Sequence, residues 1–158
     1  MCKFGDETTP PNNVSVSATY PLNTTVHRQA NPASTTSRAD GRYSATAFRY
    51  WLPAHAVAEE FRGRPDEYVN LVVEEMLPAV VGLGTASPRF CDVFCDEGAF
   101  SLAQTECVLT AAQALGLGLK VHIDEFAHLG AARLAADKRA VSVEHLLLTT
   151  PSEMRALA

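Results

Sequence analysis

Between Leu119 and His128 the chain sets two imidazoles and two carboxylates within seven positions. His122 closes an alternating run, Leu119-Lys120-Val121-His122-Ile123, and Asp124, Glu125 and His128 follow. Alternation of that period predicts a short buried strand whose carboxyl end opens into a polar loop. A His at a strand end with a Glu three residues on places a nitrogen donor beside a carboxylate at one mouth of a sheet. Such a pair suits a divalent metal with an activated water: the imidazole holds the ion and the carboxylate takes the water's proton. The competing reading is a hydrogen-bonded structural His.

The elements that must position these groups repeat along the chain. Phe48 to Leu52 is a strand candidate ending at Pro53-Ala54-His55, followed by a polar loop from Glu59 to Arg64. Pro65-Asp66-Glu67 starts a helix, with Pro in the first turn and acids favoured by the helix dipole. Tyr68, Leu71, Val72, Met76 and Val80 form its apolar stripe, with a kink expected at Pro78. Phe90 to Cys95 is the next strand. Ser101 and Gln104 make a capping box for a helix whose inward face is Leu102, Val108, Leu109, Ala112 and Leu115, stopped at Gly116. Leu119 to Ile123 is the third strand, Leu129 to Lys138 a helix, and Val141 to His145 the fourth strand. Thr150 and Glu153 cap a last helix. Strand and helix alternating in this way imply parallel strands with crossover helices, in an open α/β sheet or part of a barrel.

The chain has 158 residues, enough for one core but short of the about 250 of a complete eight-stranded α/β barrel. Apolar content of 47% and charged content of 20% describe a globular chain. A net charge of -5 with no basic cluster argues against a nucleic-acid partner. No apolar run is long enough to span a bilayer, and Met1 to Asp6 has no apolar signal core. Residues 1–46 read as a low-complexity leader: more than half of Glu7 to Ala39 is Ser, Thr, Asn or Pro, which predicts disorder. Residues 47–158 form the folded unit. Cys91 and Cys95 share one strand, which holds their Cα atoms roughly 13 Å apart at about 3.3 Å per residue. A disulfide needs less than about 7 Å, so buried reduced thiols in a cytoplasmic protein are expected.

Reactive groups in parallel α/β folds gather at the carboxyl ends of the strands. His55 follows the first strand, Asp96 and Glu97 the second, His122 and Glu125 the third, and His145 ends the fourth. That shared placement favours a functional rim over separate structural roles. His128 reads as solvated, and His27 lies in the leader.

Phe90-Cys-Asp-Val-Phe-Cys-Asp-Glu-Gly-Ala-Phe-Ser101, Ala114 through Glu125, Leu129-Gly130 and Ser142-Val-Glu-His145-Leu146 closely resemble imidazolonepropionase, of the metal-dependent amidohydrolase superfamily. Leu52-Pro-Ala-His55-Ala56, Arg62 through Val69 and Glu74 through Val80 extend the likeness, which runs from about Phe48 to Ala158. The resemblance implies a partial (β/α)8 TIM-type barrel of about four parallel βα units. It implies a hydrolase that opens the ring amide of 4-imidazolone-5-propanoate, a small-molecule substrate, to N-formimino-L-glutamate in histidine degradation. Matching residue by residue, His122 is a metal ligand for zinc or iron, Glu125 the acid/base, His145 the stabiliser of the carbonyl oxygen, and His55 a substrate contact.

The chain also departs from the family pattern. It has no His-x-His pair, no Asp on a last barrel strand and no Gly-Tyr-Gly substrate loop. One His does not hold zinc or iron tightly, since such sites use at least three protein ligands. Whether the chain is an enzyme on its own is therefore open. The expectation is a truncated or frame-disrupted chain: an enzyme fragment, a non-catalytic remnant that associates through exposed strand edges, or a subunit completing a barrel as a homo-oligomer or with a complementing chain.

Overall fold

Phe90–Cys95 and Gly118–Ile123 form β2 and β3, the central strands of a four-stranded parallel sheet flanked by β1 (Tyr50–Ala54) and β4 (Ser142–His145). The structure is a computed structural model that describes residues 50–84 and 87–158. The leader expected over 1–46, with His27, lies outside the described residues.

Strand order follows chain order, β1-β2-β3-β4. Right-handed crossovers in an unreversed order carry every helix to the same face, which is how a barrel is built; a doubly wound sheet reverses its order. Side-chain parity agrees. Cys91, Val93 and Cys95 of β2 and Leu119, Val121 and Ile123 of β3 are buried in the core, with Val69, Val72, Leu77, Val108, Leu109 and Ala132 from the helices. Opposite residues of a parallel pair share a face, so Asp92↔Lys120 and Phe94↔His122 put the other set on the helix-free side. Ser142↔Lys120 and His122↔Glu144 extend that polar face to β4. This is the partial TIM-type α/β unit expected from the alternating pattern.

The first strand runs through Pro53 instead of ending there. Its register slips by one residue between Trp51 and Ala54, and a bulge on an edge strand is where the ladder tolerates a missing N–H. The Tyr68 hydroxyl donates to the Pro53 carbonyl at 2.9 Å and ties this edge to the first helix.

That helix begins at Pro65 as expected, as α1 (Pro65–Leu71). It continues as a π-helical stretch, Val72–Met76, in which the Leu77 N–H reaches back to the Val72 carbonyl, and ends as α2 (Leu77–Val81). Pro78 has no N–H to offer the preceding turn, and the widened turn just before it relieves the clash of its ring.

The capping box at Ser101 is present in both directions, and α3 (Leu102–Ala114) follows it. Its expected inward face needs correction: Leu102 and Leu115 are exposed, and Gln104, Thr105 and Cys107 join Val108, Leu109 and Ala112 inside. Gln104 is buried because its amide donates to Asp66 Oδ1 at 2.6 Å, a helix-to-helix bond that apolar periodicity does not encode. The stop at Gly116 is as expected. Gly116 has φ of 80°, its N–H bonds Gln113 and that of Leu117 bonds Ala112, a Schellman closure that only glycine takes without strain. The helices α4 (Ala131–Asp137) and α5 (Pro151–Leu157) complete the fold.

Cys91 and Cys95 are buried free thiols, as expected, and burial pushes both upward from the usual thiol range. No helix among the described residues is long and apolar enough to cross a membrane.

Gly118 opens β3 directly beneath the Phe90 ring: a Cβ there would meet Phe90 Cδ1 at 2.6 Å and Cε1 at 2.8 Å. Gly118→Ala is expected to lower unfolding stability by about 1–3 kcal/mol through overpacking, read as a fall in the urea midpoint at unchanged slope.

Candidate metal centre at the carboxyl rim

The central feature of the helix-free face is Asp92, a buried carboxylate in the middle of β2. A buried carboxylate needs partners to offset its lost hydration, and Asp92 has two imidazoles. His122 Nδ1 lies 2.9 Å from Asp92 Oδ1, and His55 Nε2 lies 3.3 Å from the same oxygen. The second contact is off hydrogen-bonding direction, which leaves the buried His55 Nε2 without a hydrogen-bond partner. Burial would raise the Asp92 carboxyl, but the bond from His122 and the nearby His55 outweigh it and hold the group below its ordinary range. The same bond to Asp92 raises the His122 imidazole, against burial.

His55, Asp92 and His122 each offer one donor atom, and these atoms lie within 4.8 Å of one another. Two imidazoles and one carboxylate are a donor set that suits a borderline divalent cation, and the unpartnered His55 nitrogen fits a ligand's role. The group could hold a metal ion.

His145 and Glu125 stand beside this cluster, with His145 Nε2 3.2 Å from Glu125 Oε2 and the His145 ring centroid 5.3 Å from that of His122. Register alone would send His145 the other way, since it pairs with Ile123, which faces the helices. His145 and Leu146 adopt φ of 70° and 60°, a left-handed twist that costs about 1–2 kcal/mol per residue and returns the imidazole to the rim. Phe94 floors the group, its ring centroid 6.1, 6.4 and 6.2 Å from those of His55, His122 and His145. Four of the six residues expected at the rim, His55, His122, Glu125 and His145, therefore meet at one end of the sheet.

Asp96 and Glu97, also expected on this rim, do not join them. Glu97 is exposed. Asp96 is buried and accepts backbone N–H groups of Glu97, Glu125, Phe126 and Ala127, at 2.7, 2.8, 3.2 and 2.8 Å. Burial raises its carboxyl, but these four donors prevail and hold it low. It is the anchor of the loop that carries Glu125.

Asp92 is the residue that sequence reasoning missed. A charge inside the apolar run Phe90-Cys-Asp-Val-Phe-Cys95 was the available signal, since a buried acid is almost always paired.

His128 is exposed, as expected, and its Nε2 also pairs with Glu153 at 2.8 Å, joining the loop after β3 to the first turn of α5. Asp124 adds a second tie through its carboxylate to the Thr149 hydroxyl. The hydrogen bond to Glu153 raises the His128 imidazole. Glu153 falls to about 2, first through the Thr150 hydroxyl, then the Thr150 N–H and His128.

A parallel α/β half-barrel with imidazoles and carboxylates at its carboxyl rim defines the class: a barrel-type fold bearing a site fit for a metal. No family model matches the chain. Curated relatives do. The chain is 54% identical over 108 residues to an imidazolonepropionase of Syntrophobacter fumaroxidans, covering 68% of this chain and 25% of that protein. It is 46% identical over 108 residues to one of Alkaliphilus metalliredigens, 68% of this chain and 25% of that one. Over 120 residues it is 46% identical to one of Symbiobacterium thermophilum, 74% of this chain and 27% of the relative. The chain is a partial chain of the imidazolonepropionase family, spanning about a quarter of the length of the curated relatives it matches.

Two outcomes follow from the loop anchors. Asp96→Ala leaves four backbone donors unsatisfied, costs at least about 1–3 kcal/mol, and speeds amide exchange at Glu125 to Ala127. The His128–Glu153 tie is complete below the ordinary His value near 6.5 and is lost as pH rises through the raised His128 value. At the acid end it is lost as pH falls from about 4.5 towards about 2, where Glu153 takes up its proton. The protection of α5 amides, after correction for the intrinsic pH dependence of exchange, should therefore fall at both ends, and His128→Gln should abolish the alkaline loss while leaving the acid one, which Thr150 sustains.

Proposed function

We propose that the rim is part of an imidazolonepropionase active site, hydrolysing the ring amide of 4-imidazolone-5-propanoate to N-formimino-L-glutamate in histidine degradation in the cytoplasm. The observation that carries this reading is the 3.2 Å pair of His145 and Glu125 beside the His55–Asp92–His122 group, in a chain whose relatives bear that name.

In this reading His122 would hold a zinc or iron ion. When bound, that ion supplies a Lewis acid for the ring carbonyl and brings a water's pKa towards about 7. Glu125 takes the proton of the attacking water and returns it to the departing ring nitrogen. Its own position is set by the backbone bonds that Asp96 accepts from Glu125, Phe126 and Ala127. His145 donates an N–H to the carbonyl oxygen as charge develops there. His55 contacts the substrate, and the Phe94 ring closes the floor against water.

A second reading is favoured by two facts. The chain spans a quarter of its relatives' length, and among the described residues β1 and β4 each pair on one side only. In that reading it is a non-catalytic remnant, or a subunit that completes a barrel with another chain or copy.

Turnover of the imidazolone by the purified, metal-supplemented chain, followed as loss of the substrate's ultraviolet absorbance, decides between them. Glu125→Gln is then expected to lower kcat by about 10²–10⁴ with KM little changed. No turnover by the wild-type chain, alone or with a co-purifying chain, would overturn the hydrolase reading and favour the remnant.

A further inference from the structure

We infer that Asp124 is a positioning residue: it ties the end of β3 to the loop after β4 and so holds His145 against Glu125. The inference rests on the hydrolase reading for what those two groups do, and on geometry alone for how they are held.

Glu125 and His145 come within 3.2 Å from different strands, and packing does not lock either: 29% of the Glu125 side chain and 34% of the His145 side chain are exposed. Their separation is then set by the backbones that carry them. Glu125 is held from β2, through the N–H groups that Asp96 accepts. His145 is held from β3. It and Leu146 turn out of the strand with φ of 70° and 60°, and the bonds that keep the following loop in place converge on Asp124. The Asp124 carbonyl accepts the Leu147 N–H at 3.1 Å and the Leu148 N–H at 3.2 Å, and its Oδ2 accepts the Thr149 hydroxyl. The Leu146 N–H adds a bond to the Ile123 carbonyl at 3.2 Å.

Three features suit Asp124 to that task. It takes φ of 55°, and aspartate is one of the few residues besides glycine that enter the left-handed region readily. It is fully buried, so its bonds face little competition from water. It also directly precedes Glu125, so a shift of its backbone is felt by both partners of the pair. The hold of its carboxylate is a single bond. Oδ1 is buried and meets no partner among the described residues, which leaves Thr149 as the one side-chain tie there.

A carboxylate that only stabilised the loop would, on removal, lower unfolding stability and leave His145 where it is. NMR of the full 158-residue chain with labelled histidines separates the two roles. Cross-peaks from the His145 ring to those of His122 and Phe94 are expected in the wild type, since the ring centroids lie 5.3 and 6.2 Å apart. Asp124→Gly keeps the left-handed turn without the carboxylate, and Thr149→Val removes the hydroxyl without touching β3. Each should weaken those cross-peaks while the amides of α3 stay protected. Asp124→Asn, which keeps an acceptor for Thr149, should restore them.

In the turnover assay the first two variants should lower kcat about 10–100-fold with KM little changed, and Asp124→Asn should recover most of the loss. Wild-type cross-peaks in folded Asp124→Gly and Thr149→Val would overturn the inference, as would a rise in KM at unchanged kcat. So would global unfolding by Thr149→Val, which would make the tie a general stabiliser. No turnover by the wild type removes the hydrolase reading alone, because the cross-peaks still decide whether Asp124 places His145.

Discussion

A carboxylate buried in the middle of a strand is the constraint on which this site depends. Asp92 cannot stay ionised inside the fold unaided, and the structure meets that demand with imidazoles from two different places, the turn after β1 and the end of β3. The demand reaches beyond one contact. It fixes the pairing of β2 with β3, because a slip of one residue would turn Asp92 into the helix core and His122 away from it. It also gives the two faces of the sheet their opposite characters: apolar against the helices, polar on the open side.

The rim beyond this cluster is held by backbone rather than by packing. Asp96 accepts the N–H groups of three successive loop residues, so the carboxylate of Glu125 projects from a segment with little freedom. On β4 the left-handed His145 and Leu146 twist the chain over the end of β3, and the Leu146, Leu147 and Leu148 N–H groups bond the Ile123 and Asp124 carbonyls. Strain at such a position is retained where the surroundings over-determine it. Here that strain is what turns an imidazole from the helix side to the rim.

The half-barrel leaves two consequences in view. β1 and β4 each keep one edge unpaired within the described sheet, and the polar face lies where a closed barrel would have its interior. Phe126, Leu147, Leu148 and Met154 are exposed on segments that follow β3 and β4 or form α5. The matched relatives are about four times as long as the stretch shared with them. A segment of that kind has the core for its own helices and strands, while the carboxyl ends of its strands meet only part of a barrel.

Much of the architecture was legible from residue types, because local chemistry decides it. An apolar run marked β2 and an alternating run marked β3 closely, the Ser101 and Thr150 boxes marked two helix starts, and Gly116 marked a stop. The strand-end histidines and Glu125 were legible for the same reason: a parallel sheet sends its strand ends to one side. Tertiary structure alone decided the rest. Gln104 is inside because Asp66 receives it, and Asp96 serves the Glu125 loop because that loop's N–H groups converge on it. Asp92 stands between two histidines 37 and 30 residues away in the chain. Periodicity reports which side of an element a residue faces; which partner waits there depends on register and on how the chain returns, and those are properties of the packed sheet.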